Sequence, residues 1–205
     1  MKPLPEEAWR AWSPDELSVR LRDSMASWYV VGGWALDLWH GHQTRVHEDL
    51  EFAVLPDQID DCRELLWDLE FFVARDGELF HLSRTAAPPA DLWQLWAADM
   101  TNGCWRADMM IERGTGETWI YKRDPQLQLP RASAVRRNSA GIPYLAPALV
   151  LLFKAKHRRE KDEEDFRAAL PCLETQEREA LRNWLDTLHP NHDWIDRLRT
   201  DPDIH

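Results

Sequence analysis

Two segments of the chain alternate apolar and polar residues in the way that β-strands do. In EDLEFAVL (Glu48–Leu55) the apolar side chains point one way, and Asp49 and Glu51 point the other. CWRADMMIE (Cys104–Glu112) repeats this pattern, with Asp108 on the polar side. Because side chains two residues apart on a strand share a face, each segment is predicted to be a strand with one apolar face.

Capping and turn residues mark further elements around these strands. Ser13 followed by Pro14 and Glu16 predicts the start of a helix, because this spacing forms a capping box. SWYVV is a short β-type run that ends at Gly32-Gly33, and the helical segment WALDLWHG follows it. Asp76-Gly77 predicts the turn of a hairpin.

The character of the sequence changes near residue 144. RDPQLQLPRASAVRRNSAG is polar and is predicted to be a loop, whereas PYLAPALVLLFKAK and the segments after it carry apolar residues at helical spacing. The sequence therefore predicts an α/β (α+β) fold, with a mixed, twisted sheet flanked by helices over residues 1–144 and a helical lobe over residues 145–205. The segment Pro88–Asn102 has no clear pattern.

Composition narrows the range of partners. The formal net charge of −11 argues against sequence-independent binding of nucleic acid, which normally needs a basic surface. The same acidity suits a cationic substrate, although solubility alone explains it equally well. The three cysteines form no Cys-x-x-Cys pair, so reduced thiols are expected. Because the chain has no apolar leader and no run of membrane-spanning length, a cytoplasmic protein without a membrane partner is predicted.

The acidic residues of the two strands indicate a chemistry. Asp49 and Glu51 are predicted to project side by side, and two such carboxylates repel unless a cation such as Mg²⁺ lies between them. Asp108 supplies a third carboxylate if the two strands are neighbours, and three acids can hold two metal ions. Gly32-Gly33 lets a phosphate approach backbone N–H groups at a helix start. Phosphoryl or nucleotidyl transfer is therefore a hypothesis to set beside the simpler one, a solvated strand face.

The segment GGWALDLWHGHQTRVHEDLEFAV resembles the signature of the aminoglycoside and lincosamide nucleotidyltransferases, which belong to the DNA polymerase β-like superfamily. Among them it is most similar to the aminoglycoside-2″-adenylyltransferase-like subfamily. The likeness continues through WRADMMIE, GIPYLAPALVLLFKAK and KDEEDF, over about residues 28–170. The resemblance implies an enzyme that uses two Mg²⁺ ions to transfer a nucleoside monophosphate, typically AMP from ATP, to a hydroxyl, with release of pyrophosphate.

The resemblance also implies roles for single residues. The implied catalytic and metal-binding residues are Asp49, Glu51 and Asp108, the last being either a metal ligand or the general base. The implied nucleotide-binding residues are Gly32, Gly33, Arg45, Lys154 and Lys156. His47 is expected either to orient the Asp-x-Glu strand or simply to pack. Two features depart from the family pattern: Glu51 stands where many members have Asp, and the interval from Gly33 to Asp49 is longer than in the generic superfamily pattern.

The acceptor is expected to be a small hydroxylated molecule, and an aminoglycoside-like antibiotic would suit the acidic surface. Trp93, Trp96 or Trp105 would then wall the site. Two alternatives stay open. One is a nucleotidyltransferase of the toxin–antitoxin type that acts on a protein or an RNA. The basic cluster Arg131–Arg137 leaves an RNA acceptor open. The other is a catalytically silent nucleotide-binding module. The nucleotide preference and the oligomeric state are not predicted.

Overall fold

The computed structural model describes residues 1–199. Its strands are β1 (Tyr29–Val30), β2 (Glu51–Val54), β3 (Glu70–Arg75), β4 (Glu78–Leu82), β5 (Gln94–Asp99), β6 (Cys104–Ile111), β7 (Thr118–Ile120), β8 (Gln128–Pro130), β9 (Val135–Arg137) and β10 (Pro143–Leu145). Its helices are α1 (Pro14–Arg20), α2 (Gly32–His40), α3 (Ile59–Leu65), α4 (Arg131–Ala134), α5 (Pro147–Ala155), α6 (Glu160–Ala169), α7 (Thr175–Leu188) and α8 (Trp194–Arg199). Short 3₁₀ turns at Pro56–Gln58 and Leu170–Cys172 precede α3 and α7.

Eight of these strands form one mixed sheet in the order β4-β3-β5-β6-β2-β1-β10-β9, and β7 pairs with β8 in a separate ribbon. The pairs β2–β6 and β1–β10 are parallel, and the other neighbours in the sheet are antiparallel. This mixed sheet flanked by helices confirms the predicted fold class. The parallel pair β2–β6 lies at the centre of the sheet, so neighbouring strands on both sides fix the positions of its side chains.

The local signals in the sequence were mostly reliable. Ser13 caps α1 through the predicted capping box, and β3 and β4 form the predicted hairpin around Asp76-Gly77. The two alternating segments form β2 and β6, although β2 is shorter than predicted. Because β2 begins at Glu51, Asp49 lies in the chain just before the strand.

The polar segment predicted to be a loop instead carries regular structure. It contains β8, α4 and β9, none longer than four residues. β8 pairs only with β7, and β9 forms one edge of the sheet. Such short edge elements keep contact with solvent and can be built from polar residues, and three residues are too few for an alternation to be detected. The loop prediction is therefore wrong for residues 128–137.

Helices follow the sheet from Pro147 to the end of the described chain. Every residue of α5 except Phe153 is buried, which is typical of a helix with apolar residues on all sides. α5 packs against α2, α6 and α7. In residues 1–199 no helix is long and apolar enough to cross a membrane. The division of the chain at residue 144 stays a prediction, and Thr200–His205 of the predicted lobe lie outside the described residues.

Candidate active site

The three predicted acids lie together at the centre of the sheet. Glu51 and Asp108 are register partners on β2 and β6, so their side chains project side by side. The backbone N–H of Asp108 donates to the carbonyl oxygen of Leu50 at 2.8 Å, which fixes this register. Asp49 precedes Glu51 by two residues, and Trp34 Nε1 donates to the Asp49 carbonyl oxygen at 3.1 Å. The structure thus gathers acids that lie more than fifty residues apart in the chain.

Burial and mutual repulsion at these acids outweigh the positive charges around them. Burial, and next the charge of Glu51, raises the pKa of Asp108 well above its ordinary value. Burial, and next the charge of Asp49, raises the pKa of Glu51. Gln94 Nε2 donates to Asp108 Oδ2 at 2.6 Å, but the buried Oδ1 atom has no hydrogen-bond partner within residues 1–199. The cluster is therefore a place where a cation would relieve repulsion.

The donor set fits a hard divalent cation such as Mg²⁺, which prefers carboxylate oxygens. In the described part of the chain, no group of three or more His, Cys, Asp or Glu side chains is arranged to hold a metal ion by itself. Mg²⁺ usually retains several non-protein ligands and is bound through one or two carboxylates together with substrate phosphates. The residues therefore fit Mg²⁺ that arrives with a triphosphate better than a metal held by protein groups alone.

The Gly32-Gly33 turn lies directly against the acids. Val31 is extended, and α2 begins at Gly32 with a φ of +66°. A Cβ atom at Gly32 would lie 2.1 Å from Glu51 Oε2, and one at Gly33 would lie 2.4 Å from Arg45 Nη2. Only glycine fits at either position. The N-terminus of α2 has no side-chain cap, so its first N–H groups are available to phosphate oxygens beside the carboxylates.

A cavity of about 680 Å³ opens beside this turn. Its lining includes Gly32 and Glu51, Trp93 and the end of β6, and the end of α5. The cationic residues in its lining are Arg113, Lys122, Arg123, Lys154, Lys156 and Arg159. Its second acidic residue, Glu112, is bound inside the protein by Arg131 and by the hydroxyl of Tyr29. The cavity has the size and the convergent charges of a small-molecule site.

Comparison with known proteins agrees with this geometry. A family model described as aminoglycoside-2''-adenylyltransferase matches residues 16–84, which include the glycine turn, Asp49 and Glu51. The crystal structure of ANT(2'')-Ia in complex with adenylyl-2''-tobramycin covers 82% of this chain and 92% of its own, at 14% identity and a TM-score of 0.55. The chain therefore resembles aminoglycoside adenylyltransferases in the sequence of residues 16–84, and it shares the fold of ANT(2'')-Ia.

Two further solved structures are similar to this chain. The solution structure of the antibiotic-resistance factor ANT(2'')-Ia covers 82% of this chain and 86% of its own, at 14% identity and a TM-score of 0.56. The crystal structure of an antigenic nucleotidyltransferase-like protein from Paracoccidioides brasiliensis covers 96% of this chain and 94% of its own, at 16% identity and a TM-score of 0.45. A search of curated proteins found no match. At such identities the ANT(2'')-Ia structures establish a shared fold, and the acceptor has to be argued separately.

Arg45 and His47 both pack against Gly33. Arg45 Nε and Nη2 donate to the two carboxylate oxygens of Asp165 at 2.9 and 3.1 Å, so its charge is already paired. His47 is buried, and its Nε2 lies 2.5 Å from Asp37 Oδ2. Both side chains thus support the glycine turn from behind. A contact of Arg45 with the nucleotide stays a prediction.

The two predicted lysines lie in different environments. Lys154 is buried, and its Nζ lies 2.7 Å from Asp165 and 3.2 Å from Asp162. Lys156 is exposed at the end of α5, lines the cavity and makes no ion pair within residues 1–199. Lys156 is therefore free to meet a phosphate, whereas Lys154 already neutralises two aspartates.

Replacing Lys154 by Met is expected to lower the free energy of unfolding by about 3 kcal/mol, because Asp162 and Asp165 stay buried without their shared cation. Urea unfolding at pH 7 measures this change. Lys156→Met is the matched control on the same helix and is expected to stay within about 0.5 kcal/mol of the wild type. Equal stability of the two variants would show that the buried pair does not hold the helices together.

Sequence reasoning missed one wall of the cavity. Arg113 and Lys122 lie over the ring of Trp93, with the guanidinium carbon 3.8 Å and the ammonium nitrogen 4.7 Å from its centroid. Trp93 falls in the segment that had no clear pattern, and neither cation belongs to a recognisable motif. Of the three tryptophans expected to wall the site, Trp93 lines the cavity, whereas Trp96 and Trp105 pack together in a second apolar cluster.

Replacing Gly32 by Ala is expected to lower kcat/KM about 10²-fold, because the new methyl group would displace the Glu51 carboxylate. The positive φ alone is expected to cost about 1–2 kcal/mol of stability. Gly41→Ala is the matched control: Gly41 has a φ of +75° but no heavy atom within 4 Å of its added Cβ. That variant should lose similar stability and keep its activity. Similar activity losses in both variants would argue against a role of the Gly32–Glu51 contact in the site.

Proposed function

We propose that this nucleotidyltransferase uses Mg²⁺ to transfer AMP from ATP to a hydroxyl group of a small molecule. The observation that carries the proposal is the side-by-side position of Glu51 and Asp108, close to Asp49 and against the Gly32 turn. Carboxylates with raised pKa values beside uncapped helix N–H groups suit a metal–triphosphate complex. The Mg²⁺ ion of such a complex would add positive charge next to the acids.

Each residue of the site has a separate role in the proposed reaction. Mg²⁺, when bound, neutralises phosphate charge and lowers the pKa of the attacking hydroxyl. Asp49 and Glu51 would hold the metal, and the N–H groups at Gly32 would orient the phosphate oxygens. Asp108, with its unpartnered Oδ1 atom, either completes the metal site or accepts the hydroxyl proton. The hydroxyl oxygen bonds to the α-phosphorus, the bond to pyrophosphate breaks, and the released proton passes to this base or to solvent.

The names of the similar proteins suggest the type of acceptor. The family model is that of an aminoglycoside adenylyltransferase, and one similar structure contains adenylyl-2''-tobramycin. Both names describe hydroxylated, sugar-like acceptors, so aminoglycosides are the first compounds to test, with antibiotic resistance as the corresponding phenotype. A cytoplasmic location stays a prediction, and the oligomeric state is left open.

An RNA acceptor is less well supported, because the basic cluster of the sequence does not form a free surface. Arg131 is buried and paired with Glu112. Arg136 pairs with Glu177 at 2.8 Å, and Arg137 donates to a backbone carbonyl oxygen. Phosphate-backbone binding needs free cations on a continuous surface. This observation favours a small-molecule acceptor.

The proposal is tested with ATP labelled at its α-phosphate, Mg²⁺ and a panel of acceptors that includes tobramycin, tRNA and a cell lysate. We expect label to move to a small molecule with stoichiometric release of pyrophosphate, and both signals to disappear when EDTA removes the metal. Label on RNA or protein alone would favour the toxin–antitoxin alternative. ATP binding without pyrophosphate release under any condition would favour a silent module.

A further inference from the structure

The cavity beside the acids is basic although the protein as a whole is acidic. The chain has a formal net charge of −11, yet six Lys and Arg residues line this one cavity. They face two acidic lining residues, of which Glu112 is already bound by Arg131. A triphosphate at the glycine turn would use cations at the end of α5. Arg113 and Lys122 belong to other loops and lie against Trp93, so they are available to a second anion.

The part of the cavity formed by Trp93, Arg113 and Lys122, here called the Trp93 wall, has two cations against one indole ring. The ring centroid lies 3.8 Å from the Arg113 guanidinium carbon and 4.7 Å from Lys122 Nζ, and such contacts hold cations against the ring face. Neither cation makes a hydrogen bond or an ion pair within residues 1–199. All three side chains line the cavity. Two unpaired positive charges therefore face the same space.

The Trp93 wall lies on the β5–β6 side of β2 in the sheet. In the sheet, β1 and β10, which lead into the glycine turn and α5, lie on one side of β2, and β6 and β5 lie on the other. Asp108 is on β6, and Trp93 directly precedes β5. The Lys122 ammonium interacts electrostatically with Asp108 and with Glu51. If the triphosphate lies at Gly32 and Asp108 is the base of the proposed reaction, the attacking hydroxyl comes from the Asp108 side.

We propose that Trp93, Arg113 and Lys122 form an anion subsite for the acceptor, so that the preferred acceptor is a small hydroxylated molecule that carries a phosphate or a carboxylate group. This inference rests on the proposed function and narrows its acceptor class. Guanidinium and ammonium groups both recognise these anions, and the indole offers an apolar face for a sugar ring. An unmodified aminoglycoside is a polycation and would meet two like charges at this wall, which lowers its affinity.

Matched acceptors test the subsite during turnover. Transfer is measured with glucose against glucose 6-phosphate, with glucose against glucuronate, and with tobramycin. We expect the anionic members to react at least about tenfold better than glucose, and better than tobramycin. Arg113→Glu and Lys122→Glu are each expected to raise KM for the anionic acceptor about tenfold without changing KM for ATP. Arg22→Glu and Lys2→Glu, exposed and outside the cavity lining, are the charge-matched controls.

A binding measurement tests the anion subsite without turnover. Protein labelled with fluorotryptophan is saturated with Mg²⁺ and α,β-methylene ATP, and Trp93→Phe assigns the Trp93 signal in the fluorine NMR spectrum. We expect glucose 6-phosphate to shift this signal, tobramycin to leave it in place, and the Arg113→Glu/Lys122→Glu double variant to lose the shift. A shift with tobramycin alone, or with neither compound, would overturn the subsite. Failure of the proposed function would instead appear as the absence of pyrophosphate release, which this titration does not require.

Discussion

Replacing Asp108 by Asn is expected to lower kcat for nucleotidyl transfer about 10²–10⁴-fold, which is the usual contribution of a general base. The loss follows in either assigned role, because an amide can neither accept the hydroxyl proton nor bind Mg²⁺ as a carboxylate does. The substitution keeps the shape of the side chain and its hydrogen bond with Gln94. Steady-state rates of pyrophosphate release measure the effect.

The Asp108→Asn substitution is also expected to change the stability of the protein. Burial and Glu51 raise the pKa of Asp108, so the folded protein disfavours the charged carboxylate at pH 7. A neutral amide removes this penalty. The metal-free variant should therefore be more stable than the wild type by about 1–3 kcal/mol in urea unfolding. Asp57→Asn, an exposed control, should change neither property. An Asp108→Asn variant that keeps its activity and loses stability would contradict a functional role for the Asp108 carboxylate.

Removing the Asp49 carboxylate is expected to have an effect of similar size. Asp49→Ala should lower kcat/KM about 10³-fold, because the loss of a ligand forfeits several kcal/mol of charge stabilisation by the metal. The backbone there should stay in place, since Trp34 Nε1 bonds to the Asp49 carbonyl oxygen and not to its side chain. Transfer assays over a range of Mg²⁺ concentrations measure the loss and show whether excess metal restores activity.

The neighbouring Glu48→Ala variant is the control for this experiment. The Glu48 side chain is 84% exposed and pairs only with Lys161 on the surface, so its removal should leave activity within about twofold of the wild type. Transfer that survives in the Asp49→Ala variant, at the rate of the Glu48→Ala variant, would exclude the proposed metal site.

The acids could be predicted from the sequence because their signals are local. Alternation identified both strands that carry them, and Gly32-Gly33 marked the turn beside them. Their convergence, however, depends on the parallel pairing that puts Glu51 opposite Asp108, which no local pattern reports. In the same way, the sequence shows Lys154 only as a lysine in a helix. Its ion pairs with Asp162 and Asp165 depend on how the helices pack.

Charge was the property that the sequence described least well. A net charge of −11 suggested a cationic partner, but a sum over the chain contains no information on where the charges lie. Arg113 and Lys122 follow β6 and β7 at positions without a motif, and the indole that brings them together belongs to a segment without a clear pattern. Side chains assembled from three loops are the part of a site that periodicity does not predict.

The central claim is that the three acids and the glycine turn together hold a metal–triphosphate complex. A crystal structure of the protein with Mg²⁺ and α,β-methylene ATP tests it most directly. The account predicts Mg²⁺ at about 2.0–2.1 Å from carboxylate oxygens of Asp49 and Glu51, with phosphate oxygens on the N–H groups at Gly32. A nucleotide bound away from this turn, or a metal that contacts none of the three carboxylates, would contradict it.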